Sequence, residues 1–152
     1  MGQTMTSVHL FTATKKNIEE IYNLIVYLKE TELDQINFPE IDEIKLTNFI
    51  KHILKVGKII CIKDLDNEKI IGCCMYSKGE YFFSRSKLVE IQLIYIKKEY
   101  RNFPLVKRVV ESVKKYADNL PIYLYISTAQ GFDPVFKKLG FDSMGGSWRY
   151  YG

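Results

Sequence analysis

Glu90 and Gln92 stand two positions apart in the apolar run from Leu88 to Ile96, and this run leads straight into Lys97-Lys-Glu-Tyr-Arg-Asn102. Side chains two apart on an extended chain share a face. A carboxylate there can take a proton, and a carboxamide beside it can orient a neighbour. The segment that follows offers a second chemistry. A strand that turns into a helix at about Phe103 aims free backbone N–H groups and a positive dipole end at one spot, which suits an anion. Pro104 fits the first helical turn, where its missing N–H removes no intrahelical bond. Together these features suggest a phosphate-bearing ligand beside a polar reaction centre. Two plainer readings stand next to them: Glu90 as a solvent-facing strand residue paired with a lysine, and Pro104 as a helix starter and nothing more.

The remaining reactive side chains form weaker patterns. His9 and His52 lie far apart, with no ligand spacing and no nucleophile signature around them. Cys61, Cys73 and Cys74 are odd in number and fit neither a metal motif nor a secreted disulfide framework. They read as reduced, buried or half-buried residues of an intracellular protein, with the adjacent pair on opposite strand faces. Lys97-Lys98 and Lys114-Lys115 are basic pairs of the kind usually found solvated. Trp148, Tyr150 and Tyr151 suit either a packed edge strand or a stacking surface for a ligand.

These groups need elements to position them, and 152 residues suffice for one buried core, so a single domain over residues 1–152 is expected. A net charge of +4 permits an anionic ligand without demanding nucleic acid. No run approaches a membrane span and the N-terminus lacks an apolar signal core, so a cytoplasmic location is expected. A first strand is expected over Val8 to Ala13, followed by a helix capped by Thr14 and fading near Glu30. Thr31 to Glu43, with Pro39 and five acidic residues, reads as a loop or broken turn. A second helix runs from Ile44 to Leu54, with Gly57 stopping it. Strands over Lys58 to Asp64 and Lys69 to Tyr76 follow in hairpin order, then a turn at Ser77 to Glu80. The aromatic run Tyr81 to Phe83 can extend either neighbouring strand. After the strand Leu88 to Ile96 comes a helix from about Phe103 to Asp118, with Val106, Val109, Val110, Val113, Tyr116 and Ala117 inward. Ile122 to Ser127 is a short strand, Gly131 to Leu139 a short helix, and Phe141 onward a last strand. This mixing argues for an α+β or α/β sheet with helices packed on it.

Three segments stand out in that order: Val89-Glu-Ile-Gln-Leu-Ile-Tyr-Ile96 with Glu99-Tyr-Arg101, then Arg101 to Val106, then Phe136-Lys-Lys-Leu-Gly-Phe141. Their order and spacing resemble the GNAT superfamily of acyl-CoA-dependent N-acyltransferases across nearly the whole chain. The first segment is similar to the family's fourth strand and the start of its cofactor loop. The second occupies the Arg/Gln-x-x-Gly-x-Gly/Ala signature, with Pro104 and Val106 where the family has small residues. The third is similar to a late aromatic-x-x-x-Gly-Phe segment, with Phe136 where the family often has a tyrosine that protonates the departing thiolate.

The resemblance implies a mostly antiparallel sheet flanked by helices, and acetyl-CoA as co-substrate. It implies transfer of an acetyl group to a primary amine on a small molecule, peptide or protein. Glu90 then sits at the strand position of a general base, and Leu93, Ile94, Tyr95 and Ile96 lie beside the thioester. The phosphates would meet Arg101 and the backbone N–H groups of Asn102, Phe103, Leu105, Val106 and Lys107, with Lys107 or Arg108 assisting. The loop Thr31 to Glu43 and the hairpin Tyr76 to Ser86 would wall the acceptor site, and Glu32, Asp34, Glu40, Asp42 and Glu43 suggest a cationic acceptor. A non-catalytic binding module on the same fold is the alternative, and a nucleic-acid-binding domain a third reading. No membrane or metal partner is expected, and the assembly is left open between a monomer and a homodimer.

Overall fold

The computed structural model describes residues 7–125, 133–145 and 148–150. Its order is β1 (Val8–Thr12), α1 (Ile18–Leu28), α2 (Glu43–Val56), β2 (Gly57–Asp64), β3 (Lys69–Glu80), β4 (Lys87–Ile96), α3 (Phe103–Ala117), β5 (Ile122–Leu124) and α4 (Asp133–Lys138). The strands form one sheet in the order β1-β2-β3-β4-β5. All neighbours run antiparallel except β4 and β5, which are parallel and joined through α3.

The sheet is covered on both faces. On one, Ile21, Leu24 and Leu28 of α1 and Ile50 and Ile53 of α2 pack on Ile59, Cys61, Cys73, Met75 and Tyr95. On the other, Val106, Val109, Val110 and Val113 of α3, with Phe136 of α4, pack on Ile60, Ile71, Cys74, Ile94 and Ile96. Each fully buried aliphatic side chain contributes roughly 1.5–3 kcal/mol to that packing. The adjacent Cys73 and Cys74 enter opposite cores, as strand alternation requires.

Local chemistry explains most boundaries. Thr14 caps a short 3-10 turn ahead of α1, accepting from Lys16 N–H at 3.3 Å while its own N–H donates to Asn17 Oδ1 at 2.9 Å. Asp42 Oδ1 caps α2 by accepting from Lys45 N–H at 3.0 Å. Gly57 closes α2 and begins β2 directly, because a Cβ there would lie 2.2 Å from Tyr76 O.

Several expected boundaries move. Ser77 to Glu80 is not a turn: these residues pair with Glu90, Val89, Leu88 and Lys87 and prolong β3. The turn falls at Tyr81–Ser86 instead, where Tyr81 N–H donates to Ser86 O at 3.4 Å. Tyr81 to Phe83 therefore extends neither strand. The segment after α1 is more ordered than a loop. It winds through a π-turn (Lys29–Leu33) and a 3-10 turn (Asp34–Ile36), ending at Asn37 in the left-handed region with φ 56°. The helix expected over Gly131 to Leu139 and the strand over Ile122 to Ser127 are seen as α4 and β5; Leu139 and Tyr125 fall just outside them, and residues 126–132 lie outside those described. Residues 141–145 and 148–150 carry no strand, so no described part of the chain forms the last strand expected from Phe141.

Candidate active site

The register of β4 against β3 slips by one residue: Met75 faces Leu93, whereas Tyr76 faces Ile91. Gln92 is the extra residue, so β4 carries a bulge there. The bulge exchanges the faces. Val89 and Ile91 lie on the α3 side before it, and Ile94 and Ile96 lie on that side after it. Leu93 and Tyr95 are turned towards α1 and α2. The Gln92 side chain staples the distortion. With its amide oriented to satisfy both ends, Oε1 accepts from Ser77 Oγ at 2.7 Å, and Nε2 donates to Glu90 O at 3.1 Å and Met75 O at 3.3 Å.

Before the bulge β4 pairs with β5. Their ladder holds only Val89, Glu90 and Ile91 against Ile122, Tyr123 and Leu124. Leu93 to Ile96 has no β5 partner among the described residues. Lys97 N–H donates to Ile71 O at 2.9 Å. By the alternation of an antiparallel ladder, Tyr95 and Leu93 also point their backbone groups at β3, which turns those of Ile94 and Ile96 towards the β5 side.

The N-terminus of α3 follows the end of β4 through the turn Lys98–Tyr100. Asn102 caps it, with Oδ1 accepting from Leu105 N–H at 2.9 Å and the backbone carbonyl accepting from Val106 N–H at 3.2 Å. Pro104 has no donor, and Lys107 N–H lies inside the helical ladder. Of the donors expected from the sequence, Asn102 and Phe103 keep N–H groups without a partner among the described residues. Val106 turns its branched side chain into the core, so its bulk does not stand over the helix end. Lys138 of α4 places Nζ 4.6 Å from the Phe103 ring centroid, adding a cation at this helix end. Lys138 lies inside the Phe136-to-Phe141 segment, where no local signal marks it as a neighbour of Phe103.

Arg101 is engaged elsewhere. Its Nε–H donates to Ile96 O at 2.6 Å, and Nη2 pairs with Glu32 Oε2 at 2.6 Å. The guanidinium also lies 5.7 Å from the Tyr95 ring centroid. It straps the turn after α1 to the end of β4. Tyr95 is buried with its hydroxyl unpartnered among the described residues, and burial pushes that phenol up.

On the α1/α2 side, Glu90 is half-buried between Ser77 of β3 and Tyr123 of β5, its register partners. Its carboxylate leans over Gly79, where an added Cβ would sit 3.0 Å from Oε1. Tyr123 and Tyr81 share a hydroxyl–hydroxyl hydrogen bond of 2.9 Å, which pushes the Tyr81 phenol up. The acidic loop is largely neutralised from within. Glu32 is held by Arg101, Asp34 and Glu40 by Lys29, and Asp42 caps α2. Phe136 is buried edge-on against Phe141, 5.3 Å between centroids, and has no hydroxyl to give. A cleft lined by Lys16, Tyr22, Thr47 and Lys51 lies across α1 and α2 and includes none of these groups.

The family model described as acetyltransferase (GNAT) family matches residues 19–141. A search of curated proteins returns no match. Among solved structures, a predicted acetyltransferase with acetyl-CoA from Clostridium acetobutylicum is 18% identical with a TM-score of 0.71, covering 95% of this chain and 96% of its own. A possible acetyltransferase from Clostridium difficile 630 is 19% identical with a TM-score of 0.67, over 95% and 97% of the two chains. An aminoglycoside antibiotic 6'-N-acetyltransferase from Acinetobacter baumannii is 12% identical with a TM-score of 0.69, over 96% and 98%. At these identities the likeness is one of fold.

Proposed function

We propose, from the premise that this chain belongs to the acetyltransferase (GNAT) family, that it moves an acetyl group from acetyl-CoA to a primary amine. The observation that carries this reading is the bulge at Gln92, after which Leu93 to Ile96 has no β5 partner among the described residues as β4 runs on towards the capped N-terminus of α3. A thioester-bearing arm fits beside such a stretch, and its phosphates fit a helix end. Asn102 and Phe103 would offer their N–H groups, with Lys107, Arg108 and Lys138 as flanking cations. Seating a phosphate more deeply would exchange the Asn102 cap on Leu105 N–H for a phosphate oxygen, one acceptor for another. Arg101 is assigned to the strap instead.

At the reacting end, the backbone N–H groups of Ile94 and Ile96 are the donors suited to an acyl oxygen, where fixed dipoles act most strongly on developing charge. Leu93 and Tyr95 close the other side of the strand. Glu90 takes the proton of the attacking amine, directly or through a water, since most primary amines arrive protonated at neutral pH. The departing thiolate draws its proton from water, because Phe136 has none to give. The same residue favours a second reading, a module that binds the co-substrate and does not turn it over.

Calorimetry with acetyl-CoA, followed by a thiol-release assay over a panel of amines, tests both. Saturable binding with acetyl transfer is the expected result; binding without transfer to any amine leaves the module. Glu90→Gln should lower the transfer rate by about a hundredfold. An unchanged rate and pH profile would remove Glu90 from the base role.

A further inference from the structure

Cys61 and Cys73 are register partners in the β2–β3 ladder, and both side chains enter the core beneath α1 and α2. Neither is more than 1% exposed. The kind of pair they form follows from the strands outside them. Ala13 N–H donates to Ile59 O at 2.8 Å, so Ile59, and by alternation Cys61, turn their backbone groups towards β1. Cys73 is the partner of Tyr95 on its other side and turns its own groups towards β4. The two cysteines are therefore a non-hydrogen-bonded pair, the kind whose Cα atoms lie about 4.5 Å apart with side chains drawn together. A disulfide spans Cα separations of about 4.4–6.8 Å, so the backbone already stands within its reach. Cys74 enters the opposite core, and its partner on β2 is Ile60. The three cysteines thus divide into a facing pair and a single thiol with none opposite.

We propose that Cys61 and Cys73 are a redox site, closed to a cross-strand disulfide by exchange with a low-molecular-weight disulfide. The Cys61 thiolate attacks one sulfur of that compound, and the other sulfur leaves as a thiol. The Cys73 thiolate then attacks Cys61 Sγ and expels the second thiol. The protein gives up two electrons and two protons, and the small disulfide takes them to become two thiols. Burial raises both protein thiols, so exchange does not run in the closed fold. It runs when α1 and α2 lift from the sheet while the β2–β3 hairpin, joined by a turn at residues 65–68, stays paired. Once formed, the bond is sealed from reductants by the same cover. It ties the strand that carries Ser77 and Gly79 to its neighbour.

The test holds the protein with oxidised glutathione, in buffer and in urea below the unfolding midpoint. Free thiols are then blocked with N-ethylmaleimide, and an unreduced tryptic digest is read by mass spectrometry. Trypsin leaves Cys61 in Ile59–Lys63, and Cys73 with Cys74 in Ile70–Lys78. The expected product joins the two peptides, lighter than their sum by two hydrogen atoms, with Cys74 carrying the maleimide. It should form about tenfold faster in urea than in buffer, and exceed the Cys61–Cys74 link about tenfold. Cys74→Ser should form the same link, and Cys73→Ser should not. Returned to buffer, the oxidised protein should melt about 6–12 °C above the reduced one, the shift expected for a short closed loop in a chain of this length. Glutathione adducts without a link, a Cys73–Cys74 bond, or equal amounts of the two inter-peptide links would overturn the pairing. Equal rates in urea and buffer would overturn the route through the helical cover. A melting point that the link fails to raise would show that the fold does not hold the thiols at bonding distance.

Discussion

Replacing Arg101 with alanine removes an ion pair to Glu32 at 2.6 Å, a hydrogen bond to Ile96 O at 2.6 Å and a cation over the Tyr95 ring. The side chains of the pair are only 14% and 15% exposed, so solvent screening is slight. Exposed pairs contribute about 0–1 kcal/mol, whereas breaking a buried one by losing a partner costs about 3–5 kcal/mol. Ile96 is fully buried, and leaving its carbonyl unsatisfied costs a further ~1–3 kcal/mol. Allowing for relaxation and water entry, Arg101→Ala should destabilise the fold by about 3–4 kcal/mol and Glu32→Ala by about 2 kcal/mol. The double variant should resemble Arg101→Ala alone, because the second loss removes a charge already left without its partner. The coupling would then be about 2 kcal/mol. Urea unfolding of the four proteins at one pH and salt concentration measures it. If the two single effects add within about 0.5 kcal/mol, the strap is not a coupled unit and the reasoning fails. Arg101→Lys offers a control: it keeps the charge but loses the fork that reaches Glu32 and Ile96 together.

Three other expectations follow from particular contacts. Asp64 is held below the usual carboxylate range by the Tyr100 hydroxyl, which donates to Oδ2 at 2.5 Å, and by Asp66 N–H, which donates to Oδ1 at 2.8 Å. Its folded pKa being depressed, the stability it lends is present above the unfolded value of about 3.9 and is lost as pH falls through the folded value. The midpoint of thermal unfolding should therefore decline more gently below about pH 4 in Asp64→Asn than in wild type, and parallel curves would refute the linkage. Burial pushes the Cys61 thiol up to about 12, and raises the Cys73 and Cys74 thiols as well. A maleimide at neutral pH should label none of the three in minutes and all of them in denaturant; rapid native labelling would contradict the packing. Gly79→Ala should displace the Glu90 carboxylate and lower kcat/KM about tenfold or more with little change in unfolding midpoint. Unaltered kinetics would show that the carboxylate's position over Gly79 is not the one used.

The sequence revealed the parts of this site that depend on neighbours in the chain. The apolar run of β4, the Asn102 cap, Pro104 in the first helical turn and the inward valines of α3 are all local signals, and each element lies within a residue or two of its expected bounds. What escaped depends on partners far along the chain. The bulge at Gln92 exists only in the register against β3, and Arg101 meets Glu32 across 69 positions. Read locally, Arg101 looks available to a phosphate and Glu32 available to a cation; together they satisfy each other. Ser77 to Glu80 has turn-like composition, yet pairing with Lys87–Glu90 overrides it. Lys138 carries no local signal, because its partner Phe103 belongs to another helix.

The parallel join between β4 and β5 also bears on how the molecule assembles and opens. β2, β3 and β4 follow one another through short turns, so their pairing closes small loops and is kinetically cheap. β5 reaches β4 only across the α3 crossover, and it adds three register pairs among the described residues. That seam is expected to zip last in folding and part first in native-state fluctuations. Amide exchange should detect this as faster loss of protection at Val89 N–H, bonded to Pro121 O at 2.8 Å, than at the central amides of β2 and β3. A protein built in this sequence holds its rigid meander in reserve and keeps its most yielding boundary where a long, flexible ligand would have to thread.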